Sequence, residues 1–100
     1  MNKAKLIHQK VMEEMKTYNI RQAWLDKLPK NHFFYKEAVE QSLYYKWLAC
    51  LIKVINPMIA CEFGADQGGS AIFILSELPE DGYLFSVDTK LDGWTYVHRS

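Results

Sequence analysis

The chain has 100 residues, 49% of them hydrophobic and 14% aromatic, which suits one small packed domain and argues against a disordered one. Twelve Lys and Arg cancel twelve Asp and Glu, so there is no large field to hold a polyanion, and nucleic acid is disfavoured as a partner. No stretch is long enough to span a bilayer, the opening Met1-Asn2-Lys3-Ala4-Lys5 leads into mixed polar residues rather than a signal run, and no metal-ligand spacing links Cys50 to Cys61. The expectation is a cytoplasmic chain with no membrane partner and two reduced core thiols.

Leu6, Ile7, Val11, Met15 and Tyr18 recur at steps of three and four, which predicts a helix over residues 3–18. Asn19, with Gln22 three residues on, forms a capping-box pattern for a short second helix that Pro29 ends near Leu28. After a connector at 31–35, the longest helix is predicted over 36–55, with Leu43, Trp47, Leu48, Leu51, Ile52 and Ile55 as its apolar stripe and Asn56-Pro57 as its stop. Beyond it come a strand at 58–63, a helix at 69–78, a turn at Pro79-Glu80-Asp81-Gly82 and a strand at 83–88.

Two strands joined by a helix make a βαβ unit with parallel strands and a right-handed crossover. Both strands read as largely apolar, which predicts burial on both faces, with the 36–55 helix over one of them. A two-stranded parallel sheet leaves edges and faces unpaired, so the chain reads as the front of a larger α/β domain. Residues 1–35 form an N-terminal helical segment, and 36–100 the first part of a doubly wound parallel sheet. Past Trp94-Thr95-Tyr96-Val97-His98-Arg99-Ser100 such a fold would continue to its next helix and strand. The other reading is a short chain that completes its sheet with a partner or a second copy.

The segment Met58 to Ile72 carries the chemistry: an apolar strand, a glycine-rich turn with Gly64, Gly68 and Gly69, and a helix opened by Ser70 whose free N–H groups face the turn. Such a turn cradles a nucleotide-like cofactor, and Asp88, about twenty residues beyond Gly68, stands where a ribose would be gripped. A phosphate-binding P-loop needs Lys where Ser70 stands. A dinucleotide fingerprint needs Gly where Asp66 stands, and two anions about 4 Å apart repel by several kcal/mol at intermediate dielectric. S-adenosylmethionine, which has no phosphate and carries a sulfonium and an ammonium, suits an acidic turn.

Glu62-x-Gly64-x-x-x-Gly68-Gly69-Ser70, followed by a strand ending in Asp88, resembles motif I and the second-strand acid of class I S-adenosylmethionine-dependent methyltransferases. The Gly-Gly-Ser-Ala form is similar to small-molecule O-methyltransferases and cephalosporin-hydroxylase-like proteins. The resemblance covers residues 56–88 and implies a Rossmann-like domain acting on a small-molecule substrate. It implies a cofactor-binding set of Glu62, Gly64, Ala65, Asp66, Gly68, Gly69, Ser70 and Asp88. In that set Gly64 and Gly68 pass beneath the methionine part, Glu62 orients the loop or reaches the amino group, and Asp88 accepts from the ribose hydroxyls. Asp66 departs from relatives that have a second glycine there.

From the residues alone, Glu62 also reads as a cap for the following helix or a partner for a Lys. His8, His32 and His98 are too dispersed for a metal site, and the single carboxylate Asp92 does not make one. No catalytic residue is assigned, and the 100 residues alone are expected to be inactive, with homo-oligomerisation or pairing with a C-terminal part left open. The rival readings are a nonenzymatic βαβ assembly module and an NAD(P)-binding Rossmann fragment.

Overall fold

The computed structural model describes residues 2–28, 30–31, 35–63, 69–88 and 94–99, with Asp88 and residues 94–99 described by backbone alone. The chain is mixed α/β: α1 (Lys3–Met15), α2 (Gln22–Leu25), α3 (Tyr35–Val39), α4 (Leu43–Ile55), β1 (Ile59–Phe63), α5 (Gly69–Glu77), β2 (Tyr83–Asp88) and β3 (Trp94–Arg99).

Helix α1 starts where Asn2 accepts the Lys5 N–H at 2.8 Å, and it buries Val11 against α4. It ends at Met15, so Tyr18, assigned to it from periodicity, lies beyond it and is still buried in the same core. The capping box expected at Asn19 does not form. The Asn19 Oδ1 accepts instead from Gln41 Nε2, and α2 opens at Arg21 with no side-chain cap.

The single helix expected over 36–55 is two helices. α3 ends in a Schellman pair, Ser42 N–H to Glu37 O and Gln41 N–H to Ala38 O, both at 3.0 Å, with Gln41 in the left-handed region at φ 53°. Ser42 then caps α4 through the Tyr45 N–H. A non-glycine residue pays to sit at that φ, and Gln41 is held there by long-range bonds: its Oε1 accepts the Ile20 N–H at 3.0 Å while its Nε2 donates to Asn19. The other end of α4 follows the sequence. Asn56 takes the left-handed cap position at φ 54°, with its N–H on Ile52 O at 2.7 Å, and Pro57 follows.

The buried face of α4 is Tyr45, Ala49 and Cys50, rotated from the expected stripe. Leu48, Leu51 and Ile52 are half-buried, while Leu43, Trp47 and Ile55 are exposed. The reason is α5, an apolar helix clad on two sides. Phe73 joins the cluster of Val11, Leu25, Tyr45 and Cys50, with its ring stacked on Tyr45 at 4.9 Å, and Ala71, Ile74, Leu75 and Leu78 pack with Leu84 of the sheet. Small residues of α4 let α5 approach closely, which pushes the larger ones to the flanks.

β1 and β2 are parallel, in register from Ile59 opposite Tyr83 to Phe63 opposite Val87. Residues 94–99, to which no element was assigned from sequence, form β3, antiparallel to β2 with Asp88 opposite Trp94. Among the described residues the sheet order is β1-β2-β3. The Pro79–Gly82 turn closes with Gly82 N–H on Pro79 O at 2.8 Å, and Tyr83 N–H on Met58 O at 2.9 Å starts the parallel pairing. A Cβ at Gly82 would lie 2.9 Å from Pro79 O and 3.1 Å from Met58 O, so the close approach needs glycine.

Burial of both sheet faces is not what forms. Ala60, Leu84 and Ser86 face the helices, but Ile59 is 64% and Phe63 82% exposed, with Tyr83 and Cys61 exposed beside them. Helices cover one face only among the described residues, and the alternation of the strand sends the other set outward. Cys61 is therefore not a core thiol, whereas Cys50 is.

Candidate functional site

Parallel pairing brings the carboxyl ends of β1 and β2 to one edge of the sheet, with Glu62 opposite Ser86, and α5 begins at the same edge with Gly69 and Ser70. Ligands of open α/β sheets bind outside such an edge. Gly64, Ala65, Asp66 and Gly68, named from the sequence, lie outside the described residues. Asp88 closes β2 at this edge, and its cross-strand neighbour is Trp94.

Glu62 organises what is described here. Its Oε2 accepts from Ser70 Oγ at 2.7 Å, and its Oε1 accepts from Ser86 Oγ at 3.0 Å. One carboxylate on β1 thus bridges the first turn of α5 and the middle of β2. Hydrogen bonds to an ionised acceptor are the short, strong kind, and the start of a helix favours negative charge beside it. Among the described residues Glu62 has no Lys or Arg partner, so the Lys pairing read from sequence does not occur. Its contact with α5 runs through a side-chain hydroxyl rather than a backbone cap.

Sequence reading missed Ser86. It is 1% exposed and flanked by Phe85 and Val87 in an apolar strand. That pattern holds a usable signal, because a hydroxyl at an inward strand position needs a partner, and the only acid one strand away in register is Glu62. No buried side-chain polar atom among the described residues lacks a partner.

The other polar cluster lies between the N-terminal helices and the end of α5. Tyr18 Oη is 3.5 Å from Ser76 Oγ, which donates to Phe73 O at 2.7 Å, and Arg21 donates to Ser76 O at 3.4 Å. Burial pushes the Tyr18 hydroxyl up to about 12 and the Cys50 thiol up to about 11, so both stay neutral. Burial also raises Glu77, while the hydrogen-bonded Glu14, 3.0 Å away, raises Lys53. Neither the Tyr18 hydroxyl nor the Cys50 thiol is poised as a nucleophile. A cavity of about 730 Å³ opens beside α2 and α3, lined among others by Ile20, Leu25, Tyr35 and Val39, and shares no residue with the Glu62 cluster.

Among the described residues no three His, Cys, Asp or Glu side chains gather as metal ligands, and no helix is long and apolar enough to cross a membrane. No family model matches the chain, and neither a curated protein nor a solved structure does.

Proposed function

We propose that this chain binds S-adenosylmethionine at the carboxyl edge of β1 and β2, as the N-terminal part of a class I methyltransferase acting on a small molecule in the cytoplasm. In this reading β1, α5 and β2 are the first βαβ unit of a Rossmann-like doubly wound sheet. The observation that carries it is the Glu62 carboxylate, fixed by Ser70 and Ser86 at the foot of the glycine-rich segment. An anion at that place fits a ligand bearing cationic groups and opposes a pyrophosphate.

When bound, the cofactor would supply an electrophilic methyl group. The work of this chain is to hold the adenosyl and methionine parts in one orientation, since methyl transfer depends largely on in-line geometry. Glu62 and Ser70 set the start of α5, and Asp88 is the group proposed to accept from the ribose. The acceptor substrate and any base that deprotonates it are assigned to no residue of this chain.

Calorimetric titration of the 100-residue chain with S-adenosylmethionine, S-adenosylhomocysteine and NAD tests the reading. Saturable binding of the first two but not of NAD is the expected result. No heat and no shift in thermal unfolding at millimolar S-adenosylmethionine refutes it, because a ligand specific to the native state must stabilise it. Asp66→Gly checks the charge argument: it should improve NAD binding, and unchanged NAD binding removes that argument.

A second reading, a nonenzymatic βαβ assembly module, is favoured by the apolar sheet face at Ile59 and Phe63. Concentration-dependent light scattering with no response to S-adenosylmethionine would support it over the first.

A further inference from the structure

We infer that Ser86 is a positioning residue of the β1–β2 edge, acting on the start of α5 through Glu62. Three observations meet at this point. The hydroxyl is buried at 1% exposure in β2, which among the described residues pairs with both β1 and β3, so its environment is fixed by the sheet. It donates to one oxygen of a carboxylate whose other oxygen is held by Ser70. The three groups come from three different elements, β2, β1 and α5, so the orientation of the carboxylate is set from both sides.

The proton count makes the dependence directional. A serine hydroxyl has one proton to give, and an ionised carboxylate has only acceptors. Ser86 and Ser70 each give their proton to Glu62, so removing Ser86 leaves Glu62 Oε1 without its donor among the described residues. The carboxylate then turns towards solvent and takes the Ser70 contact with it. Ser86 itself is too deeply buried to touch a ligand at the edge. Its influence on binding is indirect, and in that respect the inference rests on the proposed function.

The test is a double-mutant cycle on the full chain, with Ser86→Ala, Glu62→Ala and the pair, read by urea unfolding and by amide ¹H–¹⁵N spectra. Ser86→Ala should lower the folding equilibrium constant by about tenfold or more, the usual loss for a hydrogen bond to a charged group. Glu62→Ala should cost much less in the Ser86→Ala background than in the wild type. The Ser70 amide resonance should move in Ser86→Ala and return in Ser86→Thr, which keeps the hydroxyl. Additive losses, or a Ser70 resonance that stays in place, overturn the inference.

If Ser86→Ala does not fold, the near-isosteric pair Ser86→Thr and Ser86→Val isolates the hydroxyl, and equal stability of the two overturns it. Titration with S-adenosylmethionine separates this inference from the reading it rests on. If the wild type binds, Ser86→Ala should weaken binding several-fold with Ser86→Thr restoring it, and unchanged affinity overturns the positioning role. If the wild type does not bind, the cofactor reading fails, while the cycle and the Ser70 resonance still decide whether Ser86 sets α5.

Discussion

Replacing Phe73 and, separately, Phe63 by alanine tests the asymmetry of the sheet directly, because the two changes are chemically identical and differ only in surroundings. Phe73 is fully buried, stacked on Tyr45 at 4.9 Å, and joins α5 to α1 and α4, whereas Phe63 is 82% exposed at the end of β1. Truncating a core Phe costs about 3–5 kcal/mol, of which the ring pair accounts for about 0.5–1.5 kcal/mol. That is a large part of the roughly 5–15 kcal/mol that holds a domain together. With a urea slope of about 2 kcal/mol/M, the Phe73→Ala midpoint should fall by about 2 M. Phe63→Ala should stay within about 0.5 kcal/mol of the wild type. Equal losses for the two would mean that the outer sheet face is covered in solution. A Phe73→Ala cost below about 1.5 kcal/mol would mean that α5 is not the shared core element.

Thiol labelling of the native chain should modify Cys61 quickly and leave Cys50 untouched until denaturant is added, as follows from their exposure and from burial that pushes the Cys50 thiol up to about 11. Two fast thiols would place Cys50 at the surface. Glu77 is raised above its ordinary 4.5 by burial, so its neutral form suits the fold: that stability is fully present below the unfolded value and is lost as pH rises through the folded one. Glu77→Gln should therefore gain stability over the wild type at neutral pH and lose that advantage below pH 4.5, measured by urea unfolding at both; a pH-independent difference contradicts the assignment. Gly82→Ala should cost about 1–3 kcal/mol, since its Cβ meets two carbonyl oxygens of the backbone, and an unchanged melting temperature would refute that close approach.

What the sequence discloses follows the range of the forces involved. The strand at 83–88, the start of α5 at Gly69 and the turn at 79–82 rest on local chemistry, namely β-branched and aromatic runs, glycine and proline, and they appear where expected. The break at Gln41 rests on two hydrogen bonds, to Ile20 and Asn19, more than twenty positions away, and the second removes Asn19 from its expected capping role. No window of sequence contains both ends of that interaction. β3 differs, for Trp94-Thr95-Tyr96-Val97 is itself an aromatic and β-branched run of the kind strands favour, and that local signal was legible though no element was assigned to it.

At the candidate site, the spacing that names Glu62, Gly69 and Ser70 is local, and the structure brings Glu62 and Ser70 within hydrogen-bond distance. The part played by Ser86 was not legible, because its partner is defined only by strand register. The expectation of a sheet buried on both sides failed for a plainer reason: apolar content tells which residues can be covered, not how many layers are present to cover them.

The outward row of Ile59, Phe63 and Tyr83 also governs how the protein behaves as a colloid. Its formal net charge is zero at pH 7 and its isoelectric point lies near 6.8, so around neutrality no long-range repulsion keeps two such rows apart. Solubility should pass through a minimum there and recover as the buffer is moved to either side, where like-charged molecules repel before their oily surfaces can meet.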